Sequence, residues 1–138
     1  MVLRLVGSEM CIRDSVISDQ SSFPTSAKSI ADILKKIVKI YSKDQSFDYG
    51  VYNYRNGPIT TWYEFAKKIF LAAEKIGSIK NTPKIIPITS EDYISNVQRP
   101  FNSALSINKI NTSLNLKETA WGQELEEVLG SMFKEYKW

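Results

Sequence analysis

Histidine is absent from all 138 residues. That excludes Ser-His-Asp and Cys-His nucleophile systems and every histidine-ligated metal site. Cysteine occurs once, at Cys11, so no intramolecular disulfide can form. A cysteine-poor chain suits a reducing compartment, and the expected location is the cytoplasm. No apolar run approaches the roughly 20 residues needed to span a bilayer, and the N-terminus lacks the continuous apolar centre of a signal peptide. The six glycines, Gly7, Gly50, Gly57, Gly77, Gly122 and Gly130, show no spacing that would make a phosphate-cradling loop. Charge of one sign is scarce too, with a formal net charge of only +3. The lysines are spread along helical polar faces instead of clustering between aromatics, which argues for solvated surface and against nucleic acid.

What is present is ordinary globular composition, 43% hydrophobic and 24% charged, enough for one domain with a modest core. Within residues 1–15, the stretch Val6-Gly7-Ser8-Glu9-Met10-Cys11-Ile12-Arg13-Asp14-Ser15 resembles a peptide produced when sequencing-adapter DNA is translated. Residues 1–15 are therefore expected to be non-native and are set aside from fold reasoning. The alternative is a genuine short strand over Val2 to Val6. The domain proper is expected to span residues 16–138.

Val16 and Ile17 read as the end of a strand, followed by a turn at Ser21-Ser22-Phe23-Pro24 and a cap at Thr25 or Ser26. Ile30, Ile33, Leu34, Ile37, Val38 and Tyr41 then repeat at helical spacing as one stripe, with a polar loop expected over 42–48. Val51, among Tyr49 and Tyr52 to Tyr54, predicts a short aromatic strand, and Asn56-Gly57-Pro58 a turn. Thr61-Trp62-Tyr63-Glu64 fits a capping box opening a second helix through Trp62, Phe65, Ala66, Ile69, Phe70 and Ala73, with Gly77 as its stop. Lys84 to Ile88 predicts a short strand that Pro87 confines to an edge. Ser90 is placed to cap one helical turn over Glu91 to Ile94, and Ser106 a short helix through Ile110. The last helix carries Trp121, Leu125, Val128, Leu129, Met132, Phe133 and Tyr136 on one face. Three good helices and two or three short strands cannot form a large sheet, so the apolar helical faces require a partner surface that this chain only partly supplies.

Three stretches occur in a telling order: Asp19-Gln20-x-x-x-Pro24-Thr25-x-Ala27, then Gly50-Val51-Tyr52 leading to Gly57-Pro58-x-x-Thr61-Trp62-Tyr63-Glu64-Phe65-Ala66, then Arg99-Pro100-x-Asn102-Ser103-x-Leu105-Ser106. Together they resemble the C-terminal part of the dTDP-4-dehydrorhamnose reductase family of extended short-chain dehydrogenases, over residues 16–138. The resemblance implies an α/β fold: the C-terminal, substrate-binding fragment of a Rossmann-type enzyme, mostly helices with two or three short strands and without its nucleotide-binding half. It implies a role in dTDP-L-rhamnose biosynthesis, with NADPH or NADH as cofactor of the intact enzyme and no cofactor expected to bind this fragment. The implied partners are a nucleotide-sugar substrate and a second copy in a homodimer, with no nucleic acid and no membrane. The family's Gly-rich loop and its catalytic Tyr-x-x-x-Lys helix both belong upstream, so no catalytic residue is expected here. Some members hold Mg²⁺ between subunits through glutamates, and no acidic cluster here maps onto that site. Two positions depart from the pattern: Ser22 stands where Gly is usual, which puts the tightness of that turn in doubt, and Asn53 where His is frequent.

Four residues are candidates for substrate contact. Arg99 precedes a proline, which holds its backbone extended, and a guanidinium can grip a diphosphate bidentately. Related sugar-nucleotide enzymes use an arginine late in the chain in this way; the alternative is an arginine bonding loop carbonyls. Asp19 and Gln20 leave a strand end, where open α/β sheets place ligand-facing groups, although Asp19 could instead cap the following turn. Thr25 is either a helix cap or a ligand group. Asn102 and Ser103 could contact substrate or close a turn. Trp62, Trp121 and Trp138 belong to a core or a domain interface. Tyr63 and Lys67 match Tyr-x-x-x-Lys literally, and a lysine one turn on can lower a phenol pKa. They sit in the capped helix with no nucleotide loop before it, so they read as a surface lysine beside a part-buried tyrosine. Two alternatives stay open: a reductase of another nucleotide-linked keto sugar, and a non-catalytic regulatory or protein-binding subunit related to these reductases.

Overall fold

The computed structural model describes residues 14–44, 47–93 and 97–135. Cys11, the Val2 to Val6 stretch, Tyr136 and Trp138 lie outside them. Strand β1 (Asp14–Ile17) pairs in parallel with β4 (Ile85–Ile88), Asp14 opposite Ile85 and Ile17 opposite Ile88. β1 thus begins two residues before the expected boundary at residue 16, and its ladder is made by backbone groups. A second ribbon pairs β2 (Ser21–Ser22) antiparallel with β3 (Thr60–Thr61). Ser22 sits in that ribbon; Asn115 is the only non-glycine residue with positive φ among the described residues. The turn that Gly would have eased is therefore built without a left-handed residue at 22.

Helix α1 (Ala27–Asp44) runs three residues past Tyr41, into the expected polar loop. Its apolar stripe divides in two. Ile33, with Ile37 and Ile40 beside it, packs on Ile107, Ile110 and Leu114. Ile30, Leu34 (57% exposed), Val38 (63%) and Tyr41 face outward. The physical reason is width: an apolar face of 100° or more meets only the seven-residue α3 (Asn108–Leu114) and a few side chains of the 47–54 segment. Lys36 Nζ donates to Leu114 O at 2.7 Å and satisfies one carbonyl at the end of α3.

Helix α2 (Trp62–Lys75) is capped by Thr61, whose Oγ1 accepts from Glu64 N at 3.2 Å. The Glu64 carboxylate does not complete the box; it pairs with Lys67. Gly77, with φ +81°, ends the helix in a Schellman motif: Ser78 N donates to Ala73 O and Gly77 N to Glu74 O. Helix α4 (Trp121–Glu135) packs on α2. Trp121 is buried, meets Phe65 edge-on with ring centroids 5.5 Å apart, and donates Nε1 to Pro58 O at 2.8 Å. Trp62, by contrast, is largely exposed.

Three local expectations are corrected. Residues 49–56 form no strand: Tyr52 and Tyr54 pack on the core, while Tyr49 and Val51 point outward with no neighbouring strand to pair. Thr89, not Ser90, caps the turn at 89–92, with its Oγ1 accepting from Asp92 N and Asp92 Oδ2 accepting from Thr89 N; Ile94 lies outside the described residues. The short helix is α3, which runs to Leu114, and Ser106 Oγ meets Asn108 N at 3.4 Å, two residues on, in place of a helix cap.

Candidate functional site

The parallel β1–β4 pair ends at Ile17 and Ile88, and the ladder then continues by other means. Ser18 donates both N and Oγ to Ile88 O, at 2.9 and 3.1 Å. One residue on, the Asp19 carboxylate takes over: Oδ2 accepts from Ser90 N at 2.9 Å and Oδ1 from Ser90 Oγ at 2.7 Å. These two bonds, the backbone one foremost, hold the Asp19 carboxyl below its ordinary pKa of 3.8. Gln20, only 6% exposed, donates Nε2 to Ser90 Oγ at 3.0 Å. Asp19 and Gln20 thus converge on one serine.

Ser21 engages a third segment. Its N donates to Phe101 O at 2.7 Å, and its O accepts from Ser103 N and Ser103 Oγ, both at 3.1 Å. Asn102 Oδ1 accepts from Ala104 N, which closes a turn. Arg99, two residues before Phe101, is exposed and makes no hydrogen bond or ion pair among the described residues. The chain therefore returns to Ser21 two residues after Arg99, whose guanidinium has no partner among the described residues.

Thr25 lies apart from this group. Ser26 is the α1 cap, with its Oγ accepting from Ser29 N at 2.9 Å. Thr25 Oγ1 instead donates to Phe23 O and accepts from Asn56 N. Asn56 is fully buried (0% exposed). Its Oδ1 accepts from Ser26 N and its Nδ2 donates to Ser29 Oγ, each at 3.0 Å. Glu124 on α4 accepts from Ser26 Oγ at 2.8 Å, and Glu127 pairs with Lys28. Both carboxylates bring negative charge to the N-terminal end of α1, where the helix dipole favours it. Arg55 stacks over the Phe23 ring at 3.5 Å, donates Nε to Leu105 O and pairs with Glu118. Gly57 lies against that same carboxylate, where a Cβ would collide with it.

Lys67 Nζ lies 5.2 Å above the Tyr63 ring centre and is bonded to Glu64. That is a cation over a ring face, with the ammonium already paired. Among the described residues no glycine opens a helix after a strand: Gly50 and Gly57 lie in the 47–59 segment, Gly77 closes α2, and Gly122 and Gly130 lie within α4. These residues do not fit a dinucleotide pyrophosphate. No helix of the described residues is long and apolar enough to cross a membrane.

Sequence reasoning gave Ser90 and Asn56 only cap and turn roles, and it did not single out Arg55. Ser90 and Asp19 stand 71 positions apart, so no local pattern joins them. Asn56, before Gly-Pro, reads as a turn residue, and only its burial shows otherwise.

Taken together, the parallel strand pair, the short ribbon and the helices around them make an α/β domain. The sequence model of the family described as the RmlD substrate binding domain matches residues 2–133. The dTDP-4-dehydrorhamnose reductase of Aggregatibacter actinomycetemcomitans is 31% identical over 113 residues, covering 82% of this chain and 38% of that protein. The spore coat polysaccharide biosynthesis protein SpsK of Bacillus subtilis is 30% identical over 128 residues, 93% of this chain and 40% of its own. The dTDP-4-dehydrorhamnose reductase of Bacillus anthracis, solved in complex with NADP, superposes with a TM-score of 0.63 at 29% identity, covering 90% of this chain and 38% of that one. The chain belongs to the RmlD substrate-binding domain family, and spans about two fifths of the length of the relatives it matches.

Proposed function

We propose that this chain is the substrate-binding part of an NAD(P)H-dependent reductase that acts on dTDP-4-dehydrorhamnose. The observation that carries the reading is that Phe101 and Ser103, just after Arg99, bond to Ser21, which follows the carboxyl end of a parallel strand, while the Arg99 guanidinium has no partner among the described residues. Open α/β folds bind ligands at that end, and a free guanidinium suits a diphosphate. The family membership and the relatives' names supply the rest. Asp19, Gln20 and Thr25 complete the substrate side in this reading, by contact or by holding the loops that make contact. In this reading reduction depends on residues outside the described set, and the chain alone is expected to be inactive. The cytoplasm is its working compartment, in keeping with a single cysteine.

Two measurements on the 138-residue chain test this. Calorimetric titration with dTDP should show binding that Arg99→Ala removes. NADPH oxidation with the 4-keto sugar nucleotide should show no turnover. Clear turnover abolished by Tyr63→Phe would overturn the assignment and make Tyr63 and Lys67 catalytic.

The similar match to SpsK, whose name points to spore coat polysaccharide, favours a second reading: another nucleotide-linked keto sugar as substrate. Tighter binding of a different nucleoside diphosphate than of dTDP would select it. A stable stoichiometric protein partner without sugar-nucleotide binding would instead select a regulatory subunit.

A further inference from the structure

The strand end holds both sides of the segment that carries Arg99. The chain leaves it at Ser90, bonded to Asp19 and Gln20. It comes back at Phe101 and Ser103, bonded to Ser21. Three consecutive residues thus fasten two points of the chain eleven positions apart.

We infer that Asp19, Gln20 and Ser90 are positioning residues, a clasp that aims Arg99 at an anionic ligand without touching that ligand. The inference rests on the substrate-binding reading of Arg99 given above.

Three observations favour a clasp over direct contact. Both Asp19 oxygens are engaged by one serine. The Ser90 hydroxyl is satisfied in both senses, donating to Asp19 and accepting from Gln20. The Gln20 side chain is buried, with its amide donor already placed. Chemistry argues the same way: a carboxylate turned toward a diphosphate would repel it, whereas one turned toward a backbone N–H accepts a charge-assisted bond. Pro100 stiffens the link between the Phe101 anchor and Arg99. The Ser103 hydroxyl doubles the hold on the Ser21 carbonyl.

The test has two arms on the full chain. In the first, amide hydrogen exchange is followed without ligand in the wild type and in Ser90→Ala. The clasp predicts exchange about fivefold faster or more at Ser21 and Ser103, the scale of one lost hydrogen bond, with α2 and α4 unchanged. Unchanged exchange at Ser21 and Ser103 overturns it. In the second arm, dTDP affinity is measured against salt. Arg99→Ala should flatten the salt dependence. Ser90→Ala and Asp19→Asn should weaken binding severalfold and keep its slope, since the guanidinium is still present. Tighter binding by Asp19→Asn would show that the carboxylate faces the ligand and overturn the clasp. Absence of dTDP binding in the wild type would overturn the substrate-binding reading, and the exchange arm decides the clasp without any ligand.

Discussion

Replacing Asn56 by alanine should be among the most damaging single changes in this chain. Its side chain is fully buried and makes two well-formed bonds, to Ser26 N and Ser29 Oγ, each at 3.0 Å. Alanine would leave the Ser26 N–H without a partner, and a buried polar group in that state costs about 1–3 kcal/mol. The Ser29 hydroxyl loses a donor but can turn back toward a helix carbonyl, so its share falls near the low end, about 1 kcal/mol. The sum is roughly 3 kcal/mol, against about 7–20 kcal/mol expected for a domain of this length. Urea unfolding of the full chain at 25 °C measures it, and Trp121 is a well-placed fluorescent reporter, bonded to the Pro58 carbonyl two residues beyond Asn56. The midpoint should fall with the slope unchanged, and the melting temperature should drop by about 10 °C. A double-mutant cycle with Ser29→Ala should show coupling of about 1 kcal/mol. A loss under about 1 kcal/mol, or strict additivity, would refute the argument that this asparagine ties the α1 N-terminus to the 54–57 segment.

Other perturbations have equally definite outcomes. Ile110→Ala removes a side chain from the centre of the cluster that joins α1 and α3 and should cost about 2–5 kcal/mol in the same unfolding assay. Arg55→Lys keeps the charge but loses the planar stack on Phe23 and the forked donation to Leu105 and Glu118; it should cost about 1–2 kcal/mol, and a neutral result would show that charge alone matters there. Acidification tests Asp19. Its folded pKa lies below 3.8, so its contribution is complete above that value and is lost as the pH falls through the lower, folded one. The Ser90 amide resonance should therefore titrate with a midpoint below 3.8, and a midpoint at or above it would contradict the bonds to Ser90.

The elements with local signatures could be read from the sequence. The Thr61 cap, the Gly77 stop and the apolar repeats of α1, α2 and α4 each depend on residues within one or two turns of each other. Where the outcome depended on a distant neighbour, the sequence was silent. Nothing near Ile30 or Leu34 shows that α3 is too short to cover them. Nothing near Tyr52 shows that no strand will pair with the 49–56 segment. The candidate site divides the same way. The proline after Arg99 and the strand end before Asp19 were visible, but the serine that engages Asp19 and Gln20 lay 71 and 70 positions away. Thr25 and Ser26 were equivalent as caps on paper, and Asn56, thirty residues on, separates their roles.

The parallel pairing of β1 with β4 also has a consequence for how the chain acquires its shape. A parallel pair cannot be closed by a hairpin, and here Asp14 must wait for Ile85. At ribosomal rates of about 5–20 residues per second, β1 spends roughly 4 to 14 s without its partner. Helices α1 and α2 are finished in that interval, with only the short β2–β3 ribbon able to pair. Folding rate should accordingly be limited by this long-range closure, and translation speed through residues 18–88 should affect yield more than speed elsewhere in the chain.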